Sequence, residues 1–194
     1  MRWHRYVAGV SGDEPGSGVV MASDDLDLDE ASPAGRMGKA AEHLVAATCI
    51  LASRGKLNVA TPLVDDEGVD LLFNGAGTDS ILAVQVKARM STSKRLQSET
   101  FVAFVRTQTF RQRPTLDMLF VAIDVDRGAI MAAWLVPSTE FAESATESST
   151  RGRLRFYASL KDGGRDRWRA YRLRPEELAP RLMERLRELA ASAI

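Results

Sequence analysis

Three polar side chains interrupt two apolar segments of the sequence in a pattern that could support chemistry. Asp70 lies among the apolar residues 69–73, and Gln85 and Lys87 lie within the apolar segment 81–88. Because side chains alternate between the two faces of a strand, Gln85 and Lys87 share one face. An acid, an amide and an ammonium group on an apolar sheet cost desolvation free energy. A bound divalent cation and a phosphate would offset that cost, so the pattern indicates a site for these two ions.

The two segments flank a glycine-rich turn, which predicts a β-hairpin. With residues 74–79 as the turn, Phe73 pairs with Ser80 and Asp70 falls opposite Ala83. Asp70 then shares a face with Gln85 as its diagonal neighbour, roughly 7–8 Å away at the backbone. Side chains at that separation can converge on one ion.

Oxygen ligands that hold a hard cation suit the cleavage of a phosphodiester. We expect Asp70 to be the central carboxylate ligand, with the side-chain carbonyl of Gln85 and the backbone carbonyl of Val86 beside it. Lys87 would orient or activate the attacking water and neutralise developing charge. Glu42, on the first predicted helix, would complete the ligand set directly or through water, and Mg²⁺, with Mn²⁺ as a substitute, is the expected ion.

Each of these residues also has a simpler interpretation. Gln85 and Lys87 fit a half-exposed strand on which the lysine extends its ammonium group to water. Glu42 fits a surface acid that pairs with Lys39, three residues earlier on the same helix. The acids of residues 65–67 fit a tight turn, although Glu67 could supply an outer ligand. Spacing alone does not decide between these alternatives.

The periodicity of the chain predicts an α/β or α+β domain around a mixed sheet. Residues 1–34 have too little apolar surface to offset ordering entropy and predict a disordered acidic tail. Residues 35–194 form the single predicted domain, with a core at 36–136 and a C-terminal strand pair and helix at 153–194. The predicted strand pair joins residues 154–160 to residues 168–173. The first helix begins near residue 33 and ends near Gly55, with a predicted apolar stripe at Met37, Ala41, Leu44, Thr48 and Leu51.

The composition of the 194 residues argues against wholesale disorder, because 45% of them are hydrophobic. The one cysteine, Cys49, cannot form an internal disulfide and is expected to be a buried helix residue in a reducing cytoplasm. No apolar segment approaches the length of a membrane span, so a membrane partner is not expected.

Charge is distributed unevenly although the formal net charge is zero. Residues 87–113 hold seven basic residues and one acid, a balance of +6, and residues 151–194 hold twelve basic residues and six acids, again +6. Such basic blocks allow a positive face for a polyanion, and they also fit ordinary solvated surface. The arginines of residues 165–174, interleaved with Trp168 and Tyr171, fit either phosphate contacts with base stacking or a charged edge strand. The preferred candidates for backbone contacts with nucleic acid are Lys94, Arg95, Arg106, Arg111 and Arg113.

The order of these elements resembles the PD-(D/E)XK nuclease superfamily, which has the restriction-endonuclease-like fold. A helix with Glu42, a strand, a segment with Asp70 and a strand with Gln85 and Lys87 follow one another as in that motif. The sequences Val-Asp-Leu-Leu and Val-Gln-Val-Lys are similar to the Mrr-like bacterial branches, where glutamine replaces the second acid. The resemblance spans about residues 36–136 and implies a central mixed sheet flanked by helices, with Mg²⁺-dependent cleavage of DNA and less often of RNA.

Two departures from that motif change the expectation. Val69 replaces the proline of the motif, and Gln85 removes one negative charge, which lowers the expected metal affinity and favours a single metal ion. The leading hypothesis is therefore a metal-dependent endonuclease acting on DNA in defence or repair, where cleavage of both strands favours a homodimer. The alternatives are a non-catalytic module of the same fold that binds nucleic acid or a partner protein, and a structural domain without a nucleic-acid role.

Overall fold

A mixed β-sheet forms the centre of the protein in the computed structural model, which describes residues 33–63, 68–77, 79–149 and 151–192. Within those residues the helices are α1 (Pro33–Ala52), α2 (Lys94–Gln97), α3 (Ser138–Ser144) and α4 (Pro175–Ser192). The strands are β1 (Leu57–Ala60), β2 (Leu71–Gly75), β3 (Ile81–Met90), β4 (Thr100–Arg106), β5 (Leu116–Asp124), β6 (Ala129–Pro137), β7 (Thr146–Glu147), β8 (Arg153–Ser159) and β9 (Arg172–Leu173). The expected combination of helices with a mixed sheet is confirmed.

The central sheet has the strand order β1-β2-β3-β5-β6-β9 among the described residues. Strands β3 and β5 are parallel, and every other neighbouring pair is antiparallel. A parallel pair requires a crossover connection, and the chain between β3 and β5 supplies it with α2 and β4. The expected hairpin of β2 and β3 is confirmed and places Asp70 directly before its first strand.

Helices α1 and α4 cover one face of the central sheet. Ala41, Val45 and Cys49 of α1 pack in the same core cluster as Val84 and Val86 of β3. The predicted stripe of α1 is wrong in part, because Leu51 is 77% exposed and Met37 is also exposed. Cys49 is buried as expected, and burial raises the pKa of its thiol to about 12. Neither α1 nor any other helix of the described chain has the length and apolarity needed to cross a membrane.

A buried ion pair fixes α4 against the sheet. The guanidinium of Arg185 donates to both carboxylate oxygens of Asp117, at 2.9 and 3.0 Å. Asp117 lies at the start of β5 and is fully buried. Burial raises the pKa of the Asp117 carboxyl, and the hydrogen bonds from Arg185 oppose that rise. The same bonds raise the pKa of Arg185, which keeps the guanidinium charged.

A second sheet covers the other face of the central sheet. It has the strand order β4-β8-β7 among the described residues. Phe101 of β4 and Phe156 of β8 pack with Phe120 and Trp134 of the central sheet in an aromatic core. The Phe120 and Phe156 rings stack with their centroids 3.7 Å apart. The central sheet is therefore flanked by helices on one face and mainly by a small sheet on the other.

The predicted C-terminal strand pair is wrong. Strand β8 pairs with β4 and β7, and residues 169–171 form a 3₁₀-helix before the short β9, which pairs with β6. The loop at residues 160–168 folds back on β8 through Asp166, which accepts hydrogen bonds from two backbone N–H groups. Of the predicted tail, Pro33 and Ala34 already belong to α1, and residues 1–32 lie outside the described residues.

Candidate active site

The site forms where β2 and β3 separate, which we call the strand fork. Leu71 pairs with Val84, and the backbone N–H of Asp70 still donates to the Val84 carbonyl at 3.0 Å. At the next step the Val86 N–H donates at 2.7 Å to Oδ2 of Asp70, not to a backbone carbonyl. The buried carboxylate of Asp70 therefore takes the place of the next ladder acceptor, and the preceding chain leaves the sheet.

The hairpin register differs from the expected register by two residues. Asn74 pairs with Ile81 and Phe73 with Leu82, because the turn begins and ends one residue later than predicted. The regular ladder ends at the Leu71–Val84 pair, and the Asp70 N–H donates to the same Val84 carbonyl, so the expected pairing of Asp70 with Ala83 is wrong. Because Asp70 lies outside the regular ladder, the expectation that Asp70 and Gln85 share a face stays a prediction.

The side chain of Gln85 packs closely against Gly68, which lies beside the fork. Gln85 is only 5% exposed. A Cβ on Gly68 would lie 2.5 Å from Nε2 of Gln85 and 3.7 Å from its Oε1. Gly68 also has φ +68°, a conformation that favours glycine. Sequence reasoning missed Gly68, since only the fold shows that its missing side chain makes room for the amide.

Val86 and Lys87 complete the fork on β3. The N–H and C=O of one residue in an antiparallel strand point to the same edge, so the Val86 carbonyl points to the edge where its N–H meets Asp70. Lys87 alternates to the same face as Gln85 and is half-buried. Asp70 thus lies beside the strand that carries Gln85, Val86 and Lys87, and the convergence of their oxygen atoms on one ion stays a prediction.

Glu42 lies on α1, in the layer that covers the opposite face of the central sheet from Gln85. Its residue is 8% exposed, and its Oε2 accepts a hydrogen bond from Lys39 at 2.8 Å. The ion pair with Lys39 is the simpler alternative that the spacing left open, but the carboxylate is buried and not a plain surface acid. The role of Glu42 as a ligand stays a prediction.

The donor set of the fork suits a hard cation, although it is poor in acids. No group of three or more His, Cys, Asp or Glu side chains is arranged for metal binding in the part of the chain that the structure describes. Glu67, the candidate outer ligand, lies outside the described residues. Mg²⁺ is commonly held by one or two carboxylates together with waters and substrate phosphates. A carboxylate, an amide oxygen and a peptide carbonyl are compatible with that pattern.

The predicted nucleic-acid contacts fall into two groups. Lys94 and Arg95 are exposed on α2, beyond the C-terminal end of β3. Arg106, Arg111 and Arg113 come before β5, near the opposite end of the parallel pair, where Ala83 aligns with Leu116. Sequence reasoning missed Arg153 and Arg155, which alternate with apolar residues on β8. The alternation of arginine, apolar residue and arginine at 153–155 was the available signal.

Comparison with known proteins identifies one architecture. No protein-family model and no curated protein sequence matches the chain. Among solved structures, a bacterial homing endonuclease has a similar fold, with a TM-score of 0.51 and 21% sequence identity over 81% of this chain and 95% of that one. At this identity the likeness shows the fold alone.

Proposed function

We propose that this protein is a metal-dependent nuclease that hydrolyses phosphodiester bonds in DNA. The observation that carries the proposal is the strand fork, where the buried carboxylate of Asp70 meets β3 beside Gln85 and the Val86 carbonyl. A buried acid beside a buried amide costs desolvation free energy, which a bound cation offsets. The fold that the chain has in common with a homing endonuclease supports the same conclusion.

Each residue of the fork has a distinct part in the proposed reaction. Asp70, Gln85 and the Val86 carbonyl would hold Mg²⁺ or Mn²⁺, with Glu42 acting directly or through water. When bound, the ion supplies charge neutralisation at the phosphate and a more acidic water. Lys87 orients the attacking water and balances the negative charge that develops on the phosphate. These roles follow the resemblance of the sequence to the PD-(D/E)XK motif, with Gln85 in place of its second acid.

The alternative function is a non-catalytic module of the same fold that binds nucleic acid or a partner protein. One observation favours it: the fork has a single carboxylate on β2 and β3, and no three-acid metal cluster occurs within the described residues. Fewer negative ligands bind Mg²⁺ more weakly. The two functions differ in their products, because only the nuclease shortens or nicks DNA. In either case defence or repair is the setting we propose, and a homodimer would supply the two sites that double-strand cleavage requires.

Substitutions in the fork test the nuclease. Supercoiled, linear and single-stranded DNA are incubated with Mg²⁺, with Mn²⁺ or with EDTA. We expect cleavage only with metal, and a loss on the order of a hundredfold or more in Asp70→Asn and in Lys87→Ala. Asp70→Asn keeps an oxygen that can accept the Val86 N–H, so the hairpin should remain folded.

Matched controls separate the fork from general effects. Asp126→Asn, in the exposed turn between β5 and β6, and Lys56→Ala, exposed before β1, make the same chemical changes elsewhere and should retain full activity. Cleavage that survives in both fork variants would show that the activity comes from another site or from a contaminant. Salt-dependent binding without any cleavage by the wild type would favour the non-catalytic module.

A further inference from the structure

The second sheet presents a basic outer face to solvent. Its inward positions, such as Phe101 and Phe156, are fully buried against the central sheet. Its outward positions alternate with these, and the register pairs Arg106 with Arg153, Phe104 with Arg155 and Val102 with Tyr157. We call these six residues the outer face, in which Arg106, Arg155 and Tyr157 are exposed and Val102 is buried. They include three arginines and no acid.

The outer face is the place where the two basic blocks of the sequence meet. Strand β4 belongs to residues 87–113 and β8 to residues 151–194, each with a charge balance of +6. Their pairing sets Arg106 directly opposite Arg153. The register therefore places two guanidinium-bearing residues side by side on this surface.

A cavity extends the basic surface beyond β7. It has a volume of about 320 Å³, and its walls include Arg155, Tyr157 and Arg167. Asp166 also lines it, but both carboxylate oxygens of Asp166 accept backbone N–H groups, from Ser159 at 3.0 Å and Trp168 at 2.9 Å. Tyr157 is 50% exposed. The Arg167 guanidinium donates to the Ser144 carbonyl at this cavity. Arg155 beside the exposed ring of Tyr157 suits a phosphate with its neighbouring nucleoside.

Two C-terminal arginines outside the outer face form ion pairs within the protein. Arg172 pairs with Asp162 at 3.3 Å, and Arg174 pairs with Glu177 at 2.7 Å. The expectation of a charged edge strand at residues 165–174 is not met, because this segment is mostly loop and 3₁₀-helix. The outer face, which sequence reasoning did not single out, combines three arginines with the half-exposed ring of Tyr157 and is a candidate surface for a polyanion.

The outer face begins close to the strand fork. Arg89 lies on β3, two residues beyond Lys87 and on the same face. Its Nε donates to the Val102 carbonyl of β4 at 2.7 Å. Strand β4 is the edge of the second sheet nearest to β3. A nucleic-acid backbone that crosses β4 would therefore run from the outer face toward Lys87.

We propose that the outer face binds the sugar–phosphate backbone of the nucleic acid whose ester the fork cleaves, with Arg153 and Arg155 as principal contacts. The inference rests on the proposed function, since it takes nucleic acid as the substrate. Arg106, already a predicted contact, belongs to the same surface. Backbone contacts of this kind give affinity without sequence preference.

The test is the binding of a labelled DNA duplex by fluorescence anisotropy in EDTA, which separates binding from cleavage. Arg153→Gln/Arg155→Gln is compared with the wild type and with the control Arg127→Gln/Arg187→Gln. The control removes the same charge from the exposed β5–β6 turn, where the Arg127 side chain is 83% exposed, and from the exposed face of α4. We expect the outer-face variant to bind about tenfold more weakly at about 0.1 M salt, with a salt slope smaller by about 1 per arginine. The control should bind like the wild type.

Several outcomes would overturn the proposal. Equal losses in the outer-face variant and in the control would show a net-charge effect, and no loss in either would place the contacts elsewhere. Displacement of DNA by polyglutamate as efficiently as by unlabelled duplex would indicate an acidic protein partner instead. Cleavage by the wild type together with unchanged binding by the outer-face variant would overturn this surface and leave the nuclease intact. Weaker binding by that variant without cleavage by the wild type would support the surface and remove the nuclease.

Discussion

At the scale of single residues, the sequence predicts which side chains share a face but not what lies next to them. The period of two along a strand was enough to group Gln85 with Lys87, and the hairpin added Asp70. The exact register depended on the position of the turn, which begins and ends one residue later than predicted. The contact between Gly68 and Gln85 depends on where the chain leaves the sheet. The alternation of apolar and polar residues in the sequence does not show where that happens.

Gly68→Ala tests whether Gly68 positions the Gln85 amide. A Cβ at 2.5 Å from Nε2 of Gln85 must displace the side chain. Gly77 is the matched control, because it has φ +81° and nothing lies within 4 Å of its added Cβ. Both alanine variants should lose about 1 kcal/mol of unfolding free energy from backbone strain. Urea unfolding should show a further loss for Gly68→Ala alone, together with reduced cleavage. Equal behaviour of the two variants would mean that Gln85 adjusts freely.

At the scale of elements, local pattern located the first and last helices and several strands, but it missed α2 and did not give the orientation or partners of these elements. Helix α1 has apolar residues on more than one side. The sequence pattern therefore fitted a buried stripe through Leu51 as well as the stripe through Val45 that is buried in the structure. The spacing of β8 in the sequence suggested a hairpin with the segment that follows it. Its partner β4 lies about fifty residues earlier, and the Arg185–Asp117 pair joins residues 68 positions apart. Pairings over such distances follow from packing and not from local pattern.

Arg185→Met tests the attachment of α4. The variant leaves the Asp117 carboxylate buried without its partner, and we expect a loss of roughly 3–5 kcal/mol in unfolding free energy at neutral pH. Burial already raises the pKa of Asp117, and without Arg185 it should rise further. The folded state then takes up a proton that the unfolded state binds only near pH 4, so the loss should shrink as the pH falls. Denaturation at pH 7 and at pH 5 measures both effects.

Arg187→Met, an exposed substitution on the same helix, is the control for that experiment and should change stability by no more than about 0.5 kcal/mol. A second variant, Asp117→Asn/Arg185→Met, removes the buried charge and should recover part of the lost stability. A loss that is the same at both pH values would show that Arg185 acts through packing of its side chain and not through its charge.

At the scale of the whole molecule, the alternation of helices and strands predicted the mixed central sheet, because a parallel pair must be joined by a crossover. The second sheet was not predicted. One of its strands belongs to the crossover and the other two follow α3. The sequence of each strand does not indicate that these strands pair in a separate sheet. The aromatic core of Phe101, Phe120, Phe156 and Trp134 binds the two sheets into one unit. The outer face is a consequence of that assembly.

Metal binding should appear as increased stability of the whole fold. A ligand that binds only the native state raises the unfolding free energy by about 2.7 kcal/mol at a hundredfold excess over its Kd. We expect Mg²⁺ and Mn²⁺ to raise the thermal midpoint of the wild type, with a much smaller rise in Asp70→Asn. Calcium and sodium chloride at equal ionic strength control for site size and for screening. Equal rises in the wild type and in the variant would place metal binding outside the fork.

Because the Val86 N–H donates to its carboxylate, Asp70 has a structural role in the hairpin as well as its proposed role as a metal ligand. The carboxylate proposed to hold the ion also accepts the last hydrogen bond of the hairpin. In a related protein that no longer cleaves nucleic acid, a side-chain oxygen at position 70 would still stabilise the hairpin. Survival of aspartate or asparagine there in diverged copies would thus be poor proof of activity. The lysine two positions after Gln85 is the group proposed to act on the water and the phosphate, so its retention together with the acid would be a separate sign of selection for hydrolysis.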